Sequence, residues 1–158
     1  MIILGVDPGT ATTGFGVVKK EGSKYSLVEY GVILTPAKTE LHDRLNTIFD
    51  DLTAVIKKHQ PDEMVVEELF FSTNAKTAIS VGAARGVILL AGKKQGIEIA
   101  EYTPLEVKMA LTGYGKADKK QIQQMVKAVL ALHEIPKPDD AADALAIAIC
   151  HAQTRKTK

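Results

Sequence analysis

The first 35 residues read as three consecutive strands joined by short turns, and no other stretch restricts the fold as much. Residues 2–7, rich in Ile, Leu and Val, have the apolar run of a buried strand that stops at Asp7. Pro8-Gly9-Thr10 follows as turn chemistry, because Pro cannot donate to a central ladder and Gly permits a sharp bend. Residues 13–20 return as a second strand, and Glu21-Gly22-Ser23 is the next turn. Residues 25–35 form a third, apolar on both faces, which calls for cover on both sides of the sheet. Turns this short join antiparallel neighbours, so the chain must open as a meander.

The period then changes. Leu41, Leu45, Ile48, Leu52 and Val55/Ile56 fall on one stripe of a helix over 40–58, ended by His59-Gln60-Pro61. Residues 64–67 read as a fourth strand, 75–94 as a helix lined with small residues, and 97–100 as a fifth strand. A helical segment starts at Pro104, the Gly113-Tyr114-Gly115 break follows, and helices are expected over 118–132 and 139–152. This order predicts an α/β fold: a mixed five-stranded sheet, three antiparallel strands then two parallel, with helices on both faces. The 158 residues fit one domain, taken as 1–153 with a polar tail over 154–158.

Composition removes several classes. Cys150 is alone, so an internal disulfide and a Cys-based zinc site are both excluded, and it reads as a small core residue. His42, His59, His133 and His151 have no metal-ligand spacing. The start lacks the basic leader of a signal peptide, and no stretch reaches the roughly 20 apolar residues of a membrane span. No membrane contact and a cytoplasmic location are therefore expected. Net charge is only +1, but it is unevenly spread: residues 1–72 hold 7 Lys/Arg against 11 Asp/Glu, and 73–158 hold 13 against 8. Such a division fits acidic groups collected at one place and a basic surface elsewhere.

Acidic residues sit where chemistry would use them. Asp7 ends one central strand, Glu67 or Glu68 ends another, and Asp140 and Asp143 lie three apart on one helix face. Taken singly, Asp7 is turn chemistry, Glu67-Glu68 a solvated edge, and Asp139-Asp140 a complement to the helix dipole. Asp143 is harder to explain that way. It lies among Ala141, Ala142, Ala144, Leu145 and Ala146, and a buried carboxylate needs a cation or donor beside it. Taken together, strand-end carboxylates can converge with a helix face at one sheet edge, tolerable when divalent ions neutralise them. All-oxygen donors favour Mg²⁺, with Mn²⁺ as a substitute. Two such ions about 4 Å apart would clamp both oxygens of an in-line phosphoryl displacement.

Five strings, in order, carry a resemblance to a family. They are Gly5-Val6-Asp7-Pro8-Gly9-Thr10 with Thr13-Gly14; Val66-Glu67-Glu68-Leu69-Phe70-Phe71 with Asn74-Ala75; Ala83-Ala84-Arg85-Gly86; Val107-Lys108 through Thr112-Gly113-Tyr114-Gly115-Lys116-Ala117-Asp118-Lys119; and Asp140-Ala141-Ala142-Asp143-Ala144-Leu145-Ala146. Together they resemble the RuvC resolvases of the RNase H-like superfamily over nearly the whole chain. The resemblance implies an endonuclease that resolves four-way (Holliday) junctions in recombination and repair, with 5′-phosphate and 3′-hydroxyl products. It implies Asp7, Glu67, Asp140 and Asp143 as catalytic, metal-holding carboxylates for two Mg²⁺ ions, choosing Glu67 over Glu68. It also implies DNA contacts at Phe70, Lys108 and Lys119, a homodimer, and RuvA and RuvB as partners.

Lys116 joins the DNA-binding candidates because Gly-Tyr-Gly-Lys offers adaptable backbone and a stackable ring, although Lys116, Lys119 and Lys120 also fit a plain solvated face. Phe70 and Phe71 also fit a hydrophobic core, and at least one of them is expected there. Arg85 is left between a structural role and a phosphate contact. The small-residue helix over 75–94 is the candidate dimer contact. Rival readings are another RNase H-like nuclease acting on structured RNA, an actin-like nucleotide-binding module, and an inactive DNA-binding scaffold.

Overall fold

The structure is a computed structural model, and it describes residues 1–68 and 75–155. Strands β1 (Ile2–Asp7), β2 (Thr12–Glu21) and β3 (Lys24–Leu34) form the meander, with β1–β2 and β2–β3 antiparallel. Helix α1 (Leu41–His59) leads to β4 (Glu63–Glu67), and α2 (Ala75–Lys94) leads to β5 (Glu98–Tyr102). Helices α3 (Pro104–Thr112), α4 (Lys119–Val129) and α5 (Asp139–Thr154) complete the order. The sheet runs β3-β2-β1-β4-β5, with β4 parallel to both β1 and β5. The predicted mixed sheet of three antiparallel and two parallel strands is the observed one, with element ends displaced by at most three residues.

Strand alternation divides the core into two layers. Leu4, Val6, Val17, Met64 and Val66 face α1 and α2, burying Ile48, Leu52, Ala84 and Ile88 against them. Ile3, Val18 and Val65 point the other way, toward α3, α4 and α5. Because side chains alternate with period two, Asp7 shares the face of Ile3 and Gly5, and Glu67 shares the face of Val65. Both strand-end carboxylates therefore emerge on the α5 side. Buried aliphatic residues on both faces pack the central sheet against helices on either side.

Helix α5 is apolar over most of its circumference, which suits its burial between the sheet and α3/α4. It approaches β1 and β2 closely because glycines line the contact. A Cβ on Gly5 would fall 2.1 Å from the Ala144 carbonyl oxygen, and one on Gly14 would fall 2.0 Å from that of Asp140. These two contacts fix the helix lengthwise, with its first turn beside the end of β1.

A polar network anchors the opposite end of α5. Buried His151 pairs through Nε2 with Glu63 at the start of β4, and its Nδ1 lies 3.0 Å from the Tyr102 hydroxyl. Arg155 takes the other oxygen of Glu63, and the Thr154 hydroxyl donates to the Tyr102 oxygen. Thr154 and Arg155, read from sequence as the start of a polar tail, thus belong to ordered contacts with the sheet. His151→Ala leaves the buried Glu63 carboxylate with one partner fewer, and should cost about 2 kcal/mol. A thermal melt should record a Tm loss of roughly 4–8 °C; a wild-type melt would mean the network contributes no net stability.

Candidate active site

The site is assembled at the carboxyl ends of β1 and β4. These strands are parallel neighbours with Val6 opposite Val66, so Asp7 and Glu67 leave the sheet side by side. Gly14 of β2 pairs with Asp7, and the same Gly14 touches the Asp140 backbone. One glycine thereby places the first turn of α5 next to the end of β1. Asp143, one helical turn further on, lines a cleft of about 250 Å³ together with Glu67, Lys108 and Lys119.

The electrostatics reflect this convergence. Burial, followed by repulsion from Glu67, Asp143 and Asp140, pushes the Asp7 carboxyl up to about 8, with Lys119 opposing. Burial and then Asp143 push Glu67 up to about 6, against a lowering influence of Lys108. Burial also raises Asp143, whose hydrogen bond to Lys119 acts the other way. Four acidic groups sharing one field is an arrangement that folding alone does not favour.

Lys119 is the counter-charge bonded directly to Asp143. Its Nζ lies 3.1 Å from Asp143 Oδ2 and 3.5 Å from Asp139 Oδ2. Burial works against its charge, but the bonds to Asp143 and Asp139 raise its pKa above the ordinary lysine value. Asp139 also receives Lys137 Nζ at 3.2 Å and Gln123 Nε2 at 3.1 Å, and Lys137 foremost holds its carboxyl below the usual carboxylate range. Sequence reading gave Asp139 only a helix-dipole role. Its bond to Gln123, a residue buried on α4, was not visible without the α4–α5 contact.

The donor set fits hard divalent cations. Asp7, Glu67, Asp140 and Asp143 offer only carboxylate oxygens, and their mutual repulsion is the energy that bound positive charge would relieve. Among the described residues, no three acidic, His or Cys side chains are drawn together into a closed ligand cage. Lys119 holds Asp143 through a hydrogen bond, and Lys108 faces Glu67 across the cleft.

The remaining sequence candidates fall in different places. Lys108 stands on the α3 wall of the cleft, and Lys119 on the α4 wall. Lys116 is exposed and lies outside that cleft's lining. Phe70 and Phe71 are outside the described residues. Arg85 Nη2 pairs with Glu101 at 2.5 Å, and its Nε donates to the Glu67 carbonyl at 3.4 Å, bracing the strand end that carries Glu67.

Known proteins of one family resemble this chain in sequence and in fold. A family model described as crossover junction endodeoxyribonuclease RuvC matches residues 3–151. The chain is 58% identical to the RuvC of Halothermothrix orenii over 154 residues, covering 98% of this chain and 93% of that one. It is 58% identical to the RuvC of Desulforamulus reducens over 157 residues, covering 99% and 96%. Among solved structures, Thermus thermophilus RuvC superposes with a TM-score of 0.90 at 37% identity over 96% of this chain and 93% of that one. The T. thermophilus RuvC complex with Holliday junction substrate gives 0.92 at 37% identity, covering 97% and 93%. With this agreement the fold is the RNase H-like one that the sequence resemblance implied.

Proposed function

The chain belongs to the RuvC family of crossover junction endodeoxyribonucleases, and we propose that it resolves Holliday junctions by nicking two strands of like polarity, one per subunit of a homodimer. The observation that carries this reading is the convergence of four carboxylates from three separated segments, with lysines facing them across the cleft. Asp7, Glu67, Asp140 and Asp143 are the residues that would hold Mg²⁺, two ions per site, with Mn²⁺ able to substitute. When bound, such ions supply positive charge at the scissile phosphate and ease formation of the hydroxide nucleophile.

The protein's own part is placement. The sheet fixes Asp7 and Glu67, and α5 carries Asp140 and Asp143 to them. Lys108 and Lys119, on opposite walls, bind the phosphates flanking the bond to be cut and orient the strand across the cleft. With cations bound, Asp143 would be a ligand in place of its bond to Lys119, and Asp139 would keep that ammonium near the site. Lys116 extends the basic surface beyond the cleft, and Phe70 is retained from the sequence resemblance as a base contact.

The exposed face of α2 supports the dimer. Ile79 and Leu90 are well exposed there, and among the described residues nothing lies within 4 Å of a Cβ built on Gly82 or Gly86. A second backbone can approach such a face closely. Cooperation with RuvA and RuvB belongs to the same reading, as does work in the cytoplasm; among the described residues no helix is long and apolar enough to cross a membrane.

The deciding experiment is Mg²⁺-dependent nicking of an immobile four-way junction, with linear duplex as control. Paired nicks in the junction and an intact duplex are expected; equal cutting of both, or none of either, would remove the reading. Lys108→Met should weaken junction binding and reduce the salt dependence of log K by about 0.9, the release associated with one phosphate contact. An unchanged slope would take Lys108 away from the DNA.

A further inference from the structure

A second concavity, of about 470 Å³, lies beyond the catalytic cleft between the end of α3, the 113–118 turn and the start of α4. The two share Ala117 and Asp118 as a common ridge, so a strand leaving one meets the other. The floor is apolar, from Leu111 and Met125, and Lys120 and Gln124 stand on its rim. Its volume is that of a small-molecule pocket, with room for a nucleotide but not for a folded element. The Tyr114 ring forms one wall and is 55% exposed.

The ring is exposed but its backbone is tethered. Gly113 caps α3 in the left-handed conformation, with its N–H bonded to the Met109 carbonyl. Tyr114 N–H then donates to the Thr112 hydroxyl at 3.1 Å, and its carbonyl accepts from Ala117 N–H at 3.1 Å. The adaptable loop expected from Gly-Tyr-Gly-Lys is thus a hydrogen-bonded turn. A large ring on a fixed backbone loses little freedom when something stacks on it.

The charges choose the occupant. Lys120 lines the groove, exposed Lys116 precedes its Ala117 in the chain, and Lys108 and Lys119 lie just across the ridge. The Asp118 carboxylate on the ridge is committed to capping α4, accepting from Gln121 N–H at 2.8 Å. An apolar floor with an aromatic wall and a basic rim suits the base and the phosphate of one nucleotide together. We propose that this groove binds an unstacked nucleobase of the junction strand beside the scissile phosphate, with Tyr114 as its stacking platform. The assignment rests on the junction-resolving function proposed above and adds a base-holding site to it.

Tyr114→Ala and Tyr114→Phe test it, in anisotropy titrations of an immobile junction at several salt concentrations. The same proteins are titrated against junctions carrying 2-aminopurine at successive positions next to the nick. Tyr114→Ala should weaken binding roughly ten-fold, the size expected for one base–aromatic stack, with its salt slope and thermal melt as in wild type. Tyr114→Phe should restore affinity, because the ring remains. One 2-aminopurine position should change fluorescence on binding wild type and Tyr114→Phe, and stay flat with Tyr114→Ala. Wild-type affinity and fluorescence response in Tyr114→Ala would overturn the groove assignment alone. Self-association in sedimentation that Tyr114→Ala abolishes, with DNA binding untouched, would overturn it in favour of a second copy of the chain. Failure of the wild-type protein to bind or nick the junction would instead remove the functional reading, and the groove's occupant with it.

Discussion

Asp7→Asn should abolish junction cleavage, leave junction binding within about two-fold of wild type, and make the metal-free protein more stable. The amide keeps the shape of the side chain but gives up a charged oxygen donor, so cleavage in Mg²⁺ should fall by at least about 10³-fold. Binding depends on the lysines, which the change does not touch. The stability gain follows from the raised carboxyl of Asp7, at about 8 in the fold against its ordinary 3.8. An acid whose pKa is raised by folding costs nothing when protonated in both states. The cost grows as pH rises from about 4 and is complete above about 8. Metal-free wild type should therefore gain from this group as pH falls through that window, while Asp7→Asn lacks that increment.

With screening by water in the open cleft, the gain at pH 8 is on the order of 2 kcal/mol, or roughly 4–8 °C in Tm. Added Mg²⁺ should raise the wild-type melt and move the variant much less, since only ligation that survives the change stabilises the fold. Melts in chelator and in Mg²⁺, alongside single-turnover nicking, read all three effects. Residual cleavage near the wild-type rate would take Asp7 out of the mechanism, and a less stable metal-free variant would contradict the repulsion described here.

Gly14→Ala should damage both stability and cleavage although it alters no charged group. The added methyl lies 2.0 Å from the Asp140 carbonyl oxygen and 2.4 Å from its carbonyl carbon. Backbone on both sides leaves no flexible side chain to move aside, so α5 must shift away from β2. Overpacking of this kind costs about 3 kcal/mol, near the upper end of its usual range. Displacing the first turn of α5 also moves Asp140 and Asp143 away from Asp7. A misplacement of about 1 Å at a catalytic group can cost on the order of 10²-fold in rate. A melt and a nicking assay with saturating Mg²⁺ are sufficient. Wild-type values in both would show that α5 does not depend on this contact for its position.

Much of this was legible in the residues. Strand alternation and short turns located the meander, the crossover order gave the parallel β4–β5 pair, and 3.6-residue stripes, small residues and Pro104 located the helices, because these local signals arise from backbone geometry. Asp143 was conspicuous for the same reason: a carboxylate in a run of alanines has no local explanation. Glu67 and Glu68 were not separable that way. Adjacent residues at a strand end differ only in the face they present, and that face is set by whether Val65 packs against α5 or against α1 and α2.

The sequence by itself determined the order of elements, the carboxylate inventory and the family resemblance, since these depend on local pattern and motif. Tertiary structure decided which of those groups meet. Gly14 against Asp140, Asp139 with Gln123, Arg85 on the Glu67 carbonyl, and the tethered Tyr114 ring beside a basic rim are all products of packing. The physical reason is that proximity across a fold depends on how closely layers approach. That approach is set by a few missing or committed side chains whose neighbours lie tens of residues away.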